Sequence, residues 1–339
     1  MVIFNLLRLV VIIECTVPYA TSVLSIGASC AFLYCVLMQK KPKLLVIVGP
    51  TSSGKSALAV SLARKFKGEV ISADSRQVYK GLDIGTGKIT KREMRGVSHH
   101  LLDVASPKKL FTAHDFKGFA SQCIAQIASR NKLPIVTGGT GFFIDALVGR
   151  ISLPNVPINL GLRDRLEKKT AEQLFLMLKK RDPERAKTID RHNRRRLVRA
   201  LEIVYALGKV PKNNDLVGRY SDYDVLWIGI SLAKPELDKN ISMRLFARIR
   251  GGMVAEARRL HANGLSYKRM DSLGLEYRWL ALLLQKKISR GEFEDMLLRD
   301  IRRYAKRQIT YWKRNKEIRW FNPRNMREIY RLVSNWVKN

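Results

Sequence analysis

The chain has 339 residues, enough for one large domain or two ordinary ones with a real core. Its 63 Lys and Arg against 29 Asp and Glu give a formal charge of +34, a single-sign field that favours a polyanionic partner and serves a plain metabolite kinase little. Of the four cysteines, Cys15, Cys30 and Cys35 precede residue 40 and Cys123 stands in the body; no Cys-x-x-Cys pair exists, which argues against a structural zinc site and fits a reduced, intracellular chain.

Residues 1–37 form an apolar leader. Residues 17–38 are a 22-residue stretch without charge, followed by Lys40, Lys41 and Lys43. That length suits a membrane span with the lysines on the cytoplasmic side. Two apolar blocks do not fit the layout of a secretory signal. The favoured expectation is a start at Met38 and a cytoplasmic protein; the alternative is membrane anchoring by residues 1–38.

Residues 44–48 are a short apolar run with the look of a buried parallel strand. Next comes Gly49-Pro50-Thr51-Ser52-Ser53-Gly54-Lys55-Ser56, a complete G-x-x-x-x-G-K-[ST] phosphate loop. Residues 57–63 then have helical spacing and strong helix formers. Strand, glycine loop and helix together aim backbone N–H groups and a helix N-terminus at a phosphate chain. Lys55 is placed to neutralise a terminal phosphate and the Ser56 hydroxyl to hold Mg²⁺. A second strand over 69–73 ends at Asp74, a helix covers 115–129, and a third strand over 133–137 ends in Gly138-Gly139-Thr140-Gly141. Strands alternating with helices predict an α/β fold, a P-loop NTPase-like parallel sheet with ligands beyond its carboxyl ends.

The stretch Leu153-Pro154-Asn155-Val156-Pro157 marks a boundary. Residues 162–208 read as helices only, strand character returns over 222–230, and 234–337 is mostly helical. The predicted organisation is therefore a core over 38–152, a helical insertion domain over 153–221, and core completion with C-terminal helices over 222–339.

Asp74 is a carboxylate at a strand end that can bind metal or act as a base; the plain alternative is a cap on the next turn. It is read as ending the strand next to the phosphate loop. No second carboxylate suits a water-activating ATPase. Residues 301–314 mix cations and aromatics at helical spacing, with Ile301, Tyr304 and Gln308 on one face and Arg303, Lys306 and Arg307 flanking it. Such a face suits phosphate contacts. Arg195-Arg196-Leu197-Val198-Arg199 is a second basic patch, on the insertion.

Together these motifs resemble the tRNA dimethylallyltransferase (tRNA isopentenyltransferase) family. The likeness rests on the phosphate loop, Asp74-Ser75-Arg76-Gln77-Val78-Tyr79, His99-His100-Leu101-Leu102-Asp103, Gly138-Gly139-Thr140-Gly141, Arg196-Leu197-Val198-Arg199, Leu273-Gly274-Leu275-Glu276-Tyr277-Arg278 and Tyr304-Ala305-Lys306-Arg307-Gln308, spread over about residues 43–321. The resemblance implies transfer of a dimethylallyl group from dimethylallyl diphosphate to the exocyclic amine of the adenosine 3′ to the tRNA anticodon. It implies Asp74 as general base, Thr51 by the reacting end of the donor, and Lys55 and Ser56 with Mg²⁺ on the diphosphate. It further implies Arg244 on the diphosphate. Asp74, Ser75, Arg76, Gln77, Thr140, Arg195 to Arg199, the Leu273 to Arg278 segment, Lys306 and Arg307 then correspond to contacts with the tRNA anticodon stem-loop. No protein partner is evident and a monomer is expected. Two departures stand out: Phe143 replaces a usual tyrosine, and Asn240 replaces a common arginine.

The rival readings are a P-loop small-molecule kinase, an ATP-driven nucleic-acid-binding protein and an adenylate isopentenyltransferase. The first predicts no basic helical insertion, the second needs a metal-binding carboxylate after an apolar strand, and the basic surface speaks against the third.

Overall fold

A computed structural model of the chain describes residues 41–211 and 222–339. The expectations for the leader, and the end of the insertion over 212–221, lie outside the described residues.

A parallel sheet of six strands forms the centre, in the order β3-β2-β4-β1-β5-β6. The strands are β1 (Lys43–Val48), β2 (Gly68–Ser72), β3 (His99–His100), β4 (Leu133–Thr137), β5 (Asp224–Ile230) and β6 (Arg319–Phe321). Because side chains alternate across a strand, β1 feeds two cores at once. Leu44, Val46 and Val48 enter one face with Ile71, Val136 and Trp227; Leu45 and Ile47 enter the other with Val70, Ile135 and Ile228. The first face is covered by α3 (Ala113–Ser129) and α4 (Gly141–Leu147), the second by α1 (Lys55–Lys65) and, from the C-terminus, α14 (Met326–Lys338).

The strand order corrects one expectation. β2 does not lie next to β1, because β4 is paired between them. The chain leaves β1 toward the β2 side, and after β4 it returns to β5 on the other side. The carboxyl ends of β1 and β4 therefore flank the point where the winding reverses, the usual binding crevice of open α/β sheets.

Residues 160–207 form four helices, α5 (Leu160–Glu167), α6 (Ala171–Arg181), α7 (Pro183–Thr188) and α8 (Arg194–Leu207). They close a core of their own around Leu162, Leu174, Leu178, Leu197 and Leu201. Side-chain caps set their starts: Asn159, Thr170, Asp182 and Asn193 each accept a backbone N–H of the first turn. A last cluster of helices comprises α9 (Lys234–Arg250), α10 (Met253–Ala262), α11 (Tyr267–Leu273), α12 (Leu275–Leu284) and α13 (Arg290–Trp312), packed with Val78, Tyr79 and Leu82. The short helix α2 (Lys91–Met94) precedes β3. The run expected to be mostly helical over 234–337 also contains β6, which extends the sheet beside β5.

Candidate active site

The phosphate loop follows β1 directly. Gly49 takes φ 146°, and a Cβ there would stand 2.6 Å from the carbonyl oxygen of Ile230, so glycine is required where the loop crosses β5. Lys55 opens α1 and is almost fully buried. Its ammonium turns back onto the Pro50 carbonyl of its own loop. Burial, reinforced by the charge of Arg244, brings it down to about 7, while Asp74 works in the opposite direction. Ser53 is buried in the loop with its hydroxyl unpartnered, as is the Thr137 hydroxyl at the end of β4. Gly54, Ser56 and Arg244 line one cavity of about 670 Å³. Arg244 also donates to the Gly87 carbonyl at 2.7 Å.

Asp74 stands just beyond β2 and is fixed by two neighbours. Its Oδ1 accepts the backbone N–H of Arg76 at 2.8 Å and of Gln77 at 3.3 Å. The Thr140 hydroxyl accepts from the Ser75 N–H at 2.9 Å, and the Thr140 N–H donates to the Ala73 carbonyl at 3.0 Å. The glycine turn is pressed against β2 so closely that a Cβ on Gly138 would lie 2.1 Å from the Ala73 oxygen. With Oδ1 engaged by the backbone, Oδ2 faces Gly139, 3.3 Å from where a Cβ would sit. A carboxylate oxygen held so, within the field of Lys55, can accept a proton from a nucleophile in the crevice.

Gln308 and Tyr304, on α13, close this side. Gln308 accepts the Thr51 N–H at 2.8 Å and donates to the Gly139 carbonyl at 2.9 Å; the Tyr304 hydroxyl donates to the same carbonyl at 3.0 Å. Burial and the nearby Asp74 push the Tyr304 phenol up, so it remains a donor. Sequence reasoning placed Gln308 and Tyr304 on a helix face and not in the site. The available clue was a glutamine at an otherwise apolar position, flanked by Ile301, Ala305 and Trp312, all buried.

The structure brings together Thr51, Lys55, Ser56, Asp74, Thr140 and Arg244. The remaining expected nucleic-acid contacts divide by burial. Arg195 and Arg196 are exposed on α8, whereas Leu197 and Val198 are buried in the insertion core, and Arg199 turns inward to Glu202 and the Val156 carbonyl. Leu273 and Tyr277 are buried, and Glu276 pairs with Arg248 at 3.0 Å. The side chains of Leu197, Val198, Leu273 and Tyr277 thus present no surface to a partner; they hold the helices that carry Arg195, Arg196 and the exposed Arg278. Lys306 and Arg307 are exposed and share a second cavity, about 480 Å³, with Arg303, Tyr311 and Arg314.

Two more groups, a buried Glu256 and a half-buried Arg248, escaped the sequence reading. Glu256 accepts the N–H groups of Asp83, Ile84 and Gly85 and the Tyr277 hydroxyl, while Arg248 donates to the Gly85 carbonyl. They clamp the loop whose Gly87 meets Arg244. The Phe143 departure lies in the core, stacked on Phe116 with ring centroids 4.6 Å apart, so the absent hydroxyl is absent from the core and not from the crevice.

Comparison with known proteins gives a consistent result. The family model described as IPP transferase matches residues 77–315. A protein of Pelotomaculum thermopropionicum called tRNA dimethylallyltransferase is 37% identical over 290 residues, covering 84% of this chain and 92% of that one. The solved structure of the full-length tRNA isopentenylpyrophosphate transferase from Bacillus halodurans superposes with a TM-score of 0.66 at 34% identity, covering 87% of this chain and 96% of that one. A eukaryotic dimethylallyltransferase, solved acting on tRNA, gives a TM-score of 0.72 at 27% identity, covering 83% and 73%.

Proposed function

Because the chain belongs to the IPP transferase family, we propose that it transfers the dimethylallyl group of dimethylallyl diphosphate to a tRNA adenosine. The acceptor is the exocyclic N6 amine of the adenosine 3′ to the anticodon, and the product is N6-isopentenyladenosine. The enzyme acts as a cytoplasmic monomer on the anticodon stem-loop. One observation carries the reading: a phosphate loop with a buried lysine and a carboxylate with a free Oδ2 meet at one crevice, tied by a turn and a helix.

In this reading the loop from Gly49 to Ser56 holds the diphosphate through its N–H groups, with Lys55 and Arg244 on the phosphate oxygens. Thr51 stands by the reacting carbon. The N6 nitrogen attacks C1 of the donor, the C–O bond to diphosphate breaks with its electron pair leaving on oxygen, and the N6 proton passes to Oδ2 of Asp74. The target base must leave its stack to reach this depth. The helical insertion, residues 153–221, holds the RNA through Arg195 and Arg196, and α13 through Lys306 and Arg307. Arg76, Gln77, Thr140 and Arg278 serve as further contacts.

Mg²⁺ fits the site in a particular way. Among the described residues no group of three or more Asp, Glu, His or Cys could hold a metal, and Ser56, exposed at the end of the phosphate loop, lines the cavity shared with Gly54 and Arg244. That donor set suits an ion held by one protein oxygen, phosphate oxygens and water. When bound, Mg²⁺ supplies charge neutralisation on the diphosphate.

Labelled dimethylallyl diphosphate and ATP, each incubated with tRNA, with adenylate and alone, test the reading against the kinase and adenylate alternatives. Consumption of the prenyl donor only with tRNA is the expected result. Asp74→Asn keeps shape but takes no proton, and turnover is expected to drop by about 10²-fold or more with tRNA affinity little changed. Near-normal turnover would refute the assignment of the base.

A further inference from the structure

Two hydrogen bonds meet on one buried side chain. The Gln308 Oε1 accepts the N–H of Thr51, inside the phosphate loop; its Nε2 donates to the carbonyl of Gly139, inside the glycine turn. Asp74 Oδ2 and Gln308 Nε2 approach the same face of Gly139, 3.3 and 2.8 Å from where a Cβ would be. Thr51 and Asp74 follow different strands, β1 and β2, with β4 between them, and among the described residues no backbone hydrogen bond joins their loops. The link runs from Thr51 to Gly139, the residue that Asp74 Oδ2 faces, and comes from α13, more than 160 residues further along the chain than Gly139.

We propose that Gln308 is a positioning residue that keeps the donor loop and the acceptor carboxylate in register. An amide is the side chain that meets the geometry: it offers an acceptor to the Thr51 N–H and a donor to the Gly139 oxygen at opposite edges of one plane. A carboxylate provides only acceptors, and a lysine only donors. Removing the amide takes this partner from the half-buried Thr51 N–H, while the Gly139 carbonyl keeps the Tyr304 hydroxyl, so the loss falls on the link between the two loops. Ile301, Ala305 and Trp312 fix the helix beneath it, so the amide is held by a packed element and not by a loop. The proposal rests on the reading of Thr51 and Asp74 given above.

The test compares Gln308→Leu and Gln308→Glu with the unaltered protein in single-turnover prenylation of tRNA, donor and tRNA binding, and thermal unfolding. Misalignment by about an ångström costs about 10²-fold in rate. Gln308→Leu is expected to lose on that order in single-turnover rate while donor and tRNA affinities stay within a few-fold. Gln308→Glu keeps the bond to Thr51 but sets a carboxyl against the Gly139 oxygen and Asp74. Its acid limb in the pH–rate profile is expected to move to higher pH, because two neighbouring carboxylates resist ionising together. If Gln308→Leu fails to fold, the pH profile of Gln308→Glu decides alone. A near-normal single-turnover rate in Gln308→Leu, or a Gln308→Glu profile with an unmoved limb, overturns the proposal. Asp74→Asn run in parallel separates the failures: if it is slow while Gln308→Leu is normal, only the positioning role falls; if both are normal, the site reading falls as well.

Discussion

In the proposed reaction Lys55 is the one titratable group of the phosphate loop that meets the donor. Buried, and close to Arg244, its ammonium is held down at about 7. Because the folded value lies below the ordinary one, the unfolded chain binds more protons from about pH 7 up to the lysine's usual range, and folding gains stability as pH rises through that window. Donor binding has the opposite sign. A diphosphate favours the charged lysine, so above about pH 7 the free protein must take up a proton to bind it. Donor affinity is expected to fall with pH there, by up to about tenfold per unit. Calorimetry in buffers of different ionisation enthalpy should show net proton uptake on binding at about pH 8. Lys55→Arg, charged throughout, should show none. Uptake that is absent in the unaltered protein would mean that Lys55 is already charged in the empty site.

At the scale of elements, α8 shows how one helix serves two purposes. Leu197 and Leu201 anchor it in the insertion core, while Arg195 and Arg196 remain in solvent. Leu197→Ala leaves a cavity and is expected to cost about 2–5 kcal/mol in denaturant unfolding. Arg196→Ala should change unfolding by no more than about 0.5 kcal/mol and raise the Michaelis constant for tRNA more than that for the prenyl donor. The converse pattern would mean that the basic face is structural. The same helix marks what could be read from the residues. The phosphate loop, β1, β4 and α3 were legible because each joins a local pattern to a sharp boundary. Within a helical motif, however, exposed and buried residues follow one another in sequence, and only the packing of α5 and α6 assigns Leu197 and Val198 inward. The strands β3 and β6, two and three residues long, are too short for any period to register. The insertion of β4 between β1 and β2 depends on pairing across the sheet, which no local pattern encodes. Gln308 was visible as a residue and hidden as a bridge, since both its partners lie far away in the chain.

For the whole molecule, the decisive quantity is the formal charge of +34. On the proposed reading a donor with a few negative charges is met by the loop, Lys55 and Arg244, which leaves most of the cations for something larger. Arg195 and Arg196 on the insertion, and Arg303, Lys306 and Arg307 beside Tyr311 on α13 with Arg314 just past its end, present cations at two separate helical units. An RNA backbone spanning both would release counterions at each, so its affinity must fall linearly on a log–log plot against salt. With about six phosphates engaged, the expected loss from about 50 to 200 mM salt is on the order of 10³-fold. Each of Arg196→Ala and Arg307→Ala should lower the slope by about 0.7 to 0.9. The affinity for dimethylallyl diphosphate over the same series should change far less, because its charge is met at short range in a buried loop where screening is weak. Filter binding of tRNA across a salt series, run beside donor titrations, measures both. A tRNA affinity indifferent to salt would show that the positive field serves solubility or another partner, and would leave the two cation clusters without a role in the reaction.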